Sequence, residues 1–193
     1  MIIDISQEVF SCKVYPGDPE PFMHNLQSME DGELYNLSVF TMCAHNGTHV
    51  DAPAHFLQDG KKIHQMDLEA FVGECYVAHH QGEITREDAK KILAKANNAG
   101  AQDRILLAGN LVVTVEAAEV FANAKIKLLG NESQSVGPEE APMAVHLILL
   151  REEIVLLEGI VLKGVEEGKY FLSAAPLNLK DCEGSPCRAY LLK

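Results

Sequence analysis

His45-Asn46-Gly47-Thr48-His49-Val50-Asp51-Ala52-Pro53-Ala54-His55-Phe56 places three histidines and one aspartate within eleven residues. His45, His49, Asp51 and His55 all hold odd-numbered positions, so an extended backbone sends their side chains out on one face. A helix is disfavoured, because Gly47 weakens it and Pro53 cannot occupy its interior. Imidazole nitrogens converging with a carboxylate form a donor set suited to Zn(II), Mn(II) or a similar divalent ion. The alternative is a polar loop whose histidines hydrogen-bond locally.

Working outward, the composition is that of a globular chain. Its 193 residues are 47% hydrophobic and 23% charged, enough for one domain spanning 1–193 with a substantial core. A net charge of −12 argues against nucleic acid and anionic membranes as partners, since both require a basic surface. Apolar runs such as residues 147–150 fall far short of a membrane span. Five cysteines without a CxxC pair, and a start lacking a basic segment followed by an apolar run, lead us to expect free thiols in a reducing cytoplasm. Cys43 lies near the histidines, where a small hydrophobe is the expected role.

The flanking pattern alternates strands with helices. Residues 34–42 and 74–80 read as strands, and Tyr15-Pro16-Gly17-Asp18-Pro19 as a tight loop. Thr85 with Asp88 three residues later opens a helix whose apolar stripe is Ala89, Ile92, Leu93 and Ala96, stopped by Gly100. Strands are expected at 104–108, 126–129, 154–157, 170–174 and 188–192, with helices over 114–124 and after Pro138 or Pro142. Short strands interspersed with helices predict an α/β class with a mixed sheet.

A catalytic metal site needs more than one loop, because single ions keep an open position and paired ions need a bridging carboxylate. Two candidates stand downstream. His146 falls on the third helix, and Glu158 sits isolated in the apolar run Ile154-Val-Leu-Leu-Glu158-Gly-Ile-Val-Leu162. A carboxylate there is expected to be buried and to want a cation or hydrogen-bond donors. The alternative places Glu158 on an exposed turn before Gly159 and His146 on a polar helix edge.

The chain resembles the cyclase family that includes bacterial kynurenine formamidase, along nearly its whole length. The family signature His-x-Gly-Thr-His-x-Asp-x-Pro-x-His is met at every fixed position from His45 to His55. The Pro-Gly-Asp-Pro loop is present from Pro16 to Pro19, and the late histidine followed by a glutamate twelve residues on falls on His146 and Glu158. The resemblance implies a swivelling β/β/α domain assembled as a homo-oligomer, a dimer or tetramer, with two divalent ions, zinc or manganese, per subunit. It implies that His45, His49 and Asp51 bind one ion and His146 the second, that Asp51 and Glu158 bridge or share the pair, and that His55 is the acid/base residue.

The departures from the family fall elsewhere. Formamidase-like members carry Arg-Thr-Gly-Trp where this chain has Ala108-Gly109-Asn110-Leu111. The aromatic before the Pro-Gly-Asp-Pro loop is commonly tryptophan, and here it is Tyr15, the candidate substrate-binding ring, in a chain with no tryptophan. The family's Gly-x-Asp-x-x-Ser-x-Asp keeps Gly130 and Ser135 but has Glu132 and Gly137 in place of its aspartates. The expected activity is metal-dependent hydrolysis of a small amide, with N-formylkynurenine as the named substrate and tryptophan catabolism as its setting. A cyclic amide, imide or lactone at the same site is the second reading, and a non-catalytic metal-binding protein the third. His79 and His80, at a strand end, read as surface residues rather than a weak metal contact, and His24 and His64 sit in unremarkable polar surroundings.

Overall fold

A computed structural model describes residues 1–193. In chain order the strands are β1 (Ile2–Asp4), β2 (Phe22–Gln27), β3 (Leu37–Thr41), β4 (His49–Asp51), β5 (Val72–His79), β6 (Gly82–Ile84), β7 (Arg104–Ala108), β8 (Leu111–Val113), β9 (Leu128–Asn131), β10 (Val155–Glu158), β11 (Gly168–Ser173), β12 (Gly184–Pro186) and β13 (Tyr190–Leu192). The helices are α1 (Arg86–Asn98), α2 (Val115–Asn123) and α3 (Met143–Arg151). Nine strands form one mixed sheet in the order β1-β13-β11-β5-β7-β9-β10-β4-β12. Its centre, β5-β7-β9-β10, is parallel, because α1, α2 and α3 supply the crossovers such pairs require. Both flanks are antiparallel. This is the α/β class with a mixed sheet expected from the sequence.

The strand interiors read as continuous apolar runs because both sheet faces are covered. Ile105, Leu107, Leu129 and Leu156 pack toward the helices, with Phe121, Val145 and Leu149. Leu106, Leu128, Val155 and Leu157 face the other way, against Ile5, Ile63, Phe71 and Leu172. The capping box of α1 forms as its sequence predicts: the Thr85 hydroxyl accepts from Asp88 N–H, and the Asp88 carboxylate accepts from Thr85. Thr85→Ala is therefore expected to cost about 1 kcal/mol, which thermal unfolding would register as a fall in Tm of roughly 2–4 °C.

β2 and β3 stand apart as a two-stranded ribbon, irregular between Asn25 and Gln27. Phe22, Met23, Leu26, Leu37, Val39 and Phe40 are all exposed on it. No helix is long and apolar enough to cross a membrane, and all five cysteines are free thiols.

Candidate metal centre

The histidine cluster does not form one extended strand, which corrects the single-face reading of its odd positions. Only His49, Val50 and Asp51 are extended, as β4. His45 precedes them in a turn in which Asn46 caps Cys43 N–H at 2.7 Å, and Gly47 has φ +65°. His55 follows in a 3₁₀ turn at Pro53–His55, where proline fixes the first position. Convergence of the four side chains is thus achieved by two turns flanking a three-residue strand.

β4 lies between β10 and β12, and its pairing with β10 sets His49 directly opposite Glu158. α3 brings in His146 from above the same sheet face. The two distant candidates are both buried, contrary to the exposed-turn and helix-edge alternative. Behind them the loops interlock. The Thr48 hydroxyl donates to Gly159 O at 2.6 Å, and a Cβ at Gly159 would come within 2.4 Å of Gln134 Nε2 and of Gly47 O.

Donor atoms of His45, His49 and Asp51 all lie within 4.8 Å of one another, as do those of Asp51, His146 and Glu158. Asp51 belongs to both groups. His49 Nε2 is 3.5 Å from Asp51 Oδ1 and 3.5 Å from Glu158 Oε2. His146 Nε2 is 3.3 Å from Glu158 Oε1 and 3.9 Å from Asp51 Oδ2. His55 lies outside both groups, its ring stacked on that of His45 with centroids 4.1 Å apart.

This donor set fits divalent cations. His49 Nδ1 contacts Gly47 O at 3.0 Å and His146 Nδ1 contacts Pro142 O at 2.9 Å, contacts in which only an N–H can serve against a carbonyl. In the neutral rings both Nε2 lone pairs therefore face carboxylate oxygens, acceptor against acceptor. Asp51 is fully buried, and its Oδ2 has no hydrogen-bond partner. A buried, unpartnered carboxylate oxygen is costly unless a cation answers it.

The local field is strong. Burial disfavours the charged form of His45, but its hydrogen bond to the Asp51 carboxylate and that group's charge, and then its hydrogen bond to Glu183, outweigh it and push its pKa up to about 9. Burial would also raise the Asp51 carboxyl, yet the His45 hydrogen bond and the neighbouring histidines hold it below the ordinary carboxylate range. His55 is lowered, chiefly by burial, against the pull of Asp51.

The centre opens on a cavity of about 270 Å³, close to the lower end of small-molecule sites. Tyr15 lines it, its hydroxyl donating to Glu139 O at 3.0 Å. Cys43 lines it too and is half-buried, with Sγ 3.9 Å from Asp18 Oδ2, so it faces the cavity rather than the core. The departures at 108–111 and Glu132 lie outside the lining. Glu132 instead ties two loops together, accepting from Gly109 N–H and Leu162 N–H, both at 2.8 Å. Only Gln134 and Ser135 of that stretch reach the cavity. Sequence reasoning missed Gln134, Asp18 and Glu183. Glu183 contacts His45 across 138 positions of chain, and no local pattern announces such a contact.

A curled mixed sheet carrying two overlapping histidine–carboxylate groups at the mouth of a cavity defines an α/β domain of the metal-centre type. The chain belongs to the Cyclase family, whose model matches residues 3–138. It is 33% identical to the kynurenine formamidase of Erythrobacter litoralis over 204 residues, covering 98% of this chain and 93% of that one. It is likewise 33% identical to the kynurenine formamidase of Bacillus anthracis, over 98% of this chain and 96% of that one. Among solved structures, a potential metal-dependent hydrolase with cyclase activity superposes with a TM-score of 0.82 at 24% identity, over 99% of this chain and 96% of that one. Isatin hydrolase A from Labrenzia aggregata gives 0.83 at 21% identity, over 99% and 93%. These two likenesses are ones of fold.

Proposed function

We propose that the protein is a metal-dependent hydrolase that cleaves the C–N bond of a small amide, acting as one catalytic domain over residues 1–193, with N-formylkynurenine as its substrate. The observation that carries this reading is Asp51, a buried carboxylate common to two donor groups, with one oxygen left unpartnered beside a cavity. Kinship with kynurenine formamidases supports the reaction class.

In this reading His45, His49 and Asp51 would hold one ion, His146 would hold the second, and Asp51 and Glu158 would be shared between them. Zinc and manganese both suit these ligands. When bound, a divalent ion would supply Lewis acidity toward the carbonyl and would lower the pKa of water at neutral pH. Glu158 is held for its part by Val136 N–H, which donates to Oε1 at 2.7 Å. His55, outside the ligand groups and on the cavity wall, moves a proton through its ring from water to the leaving nitrogen. Tyr15 presents an aromatic face to an aryl substrate, its phenol tethered to Glu139 so that the ring is already placed.

The exposed apolar ribbon of β2 and β3 supports a homo-oligomer, because two strands alone are marginally stable and such side chains normally find cover. Sedimentation is expected to give a dimer or tetramer, and a monomer at micromolar concentration would remove this part of the reading. Free thiols and the acidic charge accord with a cytoplasmic setting without nucleic-acid or membrane partners.

The test is formate release from N-formylkynurenine by protein loaded with zinc or manganese, beside a panel of cyclic imides and lactones. Turnover of the formamide that stops after chelation and returns with the ion is expected. Turnover of the cyclic compounds alone would reassign the substrate, and failure to take up any divalent ion would overturn the reading as a whole.

A further inference from the structure

We infer that Glu183 is a positioning residue that sets which nitrogen of His45 faces the metal. The inference rests on the reading of the centre proposed above. His45 is bracketed by two carboxylates: Nδ1 lies 2.8 Å from Asp51 Oδ1, and Nε2 lies 3.2 Å from Glu183 Oε1. A neutral imidazole has one proton to share between them. Asp51 stands inside both donor groups, whereas Glu183 stands in neither. With the Nδ1 lone pair committed to an ion, the remaining proton sits on Nε2, and Glu183 is its acceptor. Histidine ligands characteristically donate their second ring N–H to such a carboxylate, which fixes tautomer and orientation and strengthens the ligand.

The backbone holds Glu183 to this task. Ala52 N–H donates to Glu183 O at 2.8 Å, and the next residue, Gly184, pairs across the ladder with Asp51 itself. A Cβ on Gly184 would stand 2.6 Å from His45 Cε1, so glycine there is what lets the imidazole lie against β12. The carboxylate, the glycine and the shared register are three separate features of residues 183–184 directed at one ring. The side chain of Glu183 is 43% exposed, so its removal leaves the core intact.

Divalent-ion binding by the apo protein, read through competition with a chromophoric chelator, tests this without recourse to activity. The wild type is compared with Glu183→Ala and Glu183→Gln. Alanine is expected to weaken one of two binding steps by about 10–100-fold and to leave the other, which His45 does not serve, unchanged. Glutamine keeps an acceptor oxygen and is expected to restore most of that loss. The Tm of the chelated proteins should be the same in all three, which separates positioning from a folding defect. Wild-type binding with an equal affinity in Glu183→Ala, or equal weakening of both steps, would overturn the inference alone. A wild type that takes up no ion would overturn the proposed centre and this inference with it.

Discussion

Asp51→Asn is expected to abolish both metal loading and turnover, although it changes one oxygen for an NH₂ of almost the same size. Asp51 is the only residue common to the two donor groups, so a neutral amide there weakens two sites rather than one. The substitution also turns one acceptor into a donor aimed at histidine nitrogens that should be accepting a cation. Loss of several kcal/mol of charge stabilisation, about 4 kcal/mol or more, corresponds to ~10³-fold or greater loss of activity. Elemental analysis should fall from two ions per chain toward zero. Thermal unfolding gives an independent reading. An ion supplied at 100 times its Kd stabilises the wild type by about 2.7 kcal/mol, which is a Tm rise of roughly 5–10 °C; Asp51→Asn should show none. A variant that retains both ions would refute the shared role of this carboxylate.

His55→Ala is expected to separate chemistry from metal binding. The ring of His55 is excluded from both donor groups yet lines the cavity and stacks on His45. Its loss should lower kcat by ~10²–10⁴, the usual worth of a general acid/base residue, with KM little altered and two ions still bound. Loss of an ion in this variant would make His55 a ligand instead. The pair of variants is informative together, since one removes the ions and the chemistry, the other the chemistry alone.

Much of this was legible in the chain because the strongest signals are local. The Thr85–Asp88 box, the stripe of Ala89, Ile92 and Ala96, and the four apolar residues Ile105–Ala108 of β7 each state their element within a few positions. Glu158 was readable for a different reason: a lone carboxylate in an apolar run must be buried, and it is. The single-face reading of the histidines failed because period-two alternation was carried through Gly47 and Pro53, residues whose backbone preferences end a strand. The short strands β6, β8 and β12 have three residues each and too few positions to show any period. Glu183 and Gln134 escaped notice since what defines them is proximity created by the sheet, with a sequence that reads as ordinary polar loop. The departures at 108–111 and Glu132 are plain in the sequence, but their placement away from the cavity is set by the fold alone.

The pairing of β4 with β10 has a further consequence, one of parity. His49 and Asp51 of β4 and Glu158 of β10 carry the chemistry on one face, while Val50, Val155 and Leu157, of the opposite parity, belong to the packed interior on the reverse side. Inserting or deleting a single residue between His49 and Asp51, or between Val155 and Glu158, would exchange the two sets wholesale, delivering valine and leucine to the cavity and carboxylates to the oil. No compensating substitution nearby could repair that exchange. In these seven positions the count of residues is as binding a constraint as their identity, whereas the exposed ribbon of β2 and β3, irregular already, is where the chain can absorb a change of length.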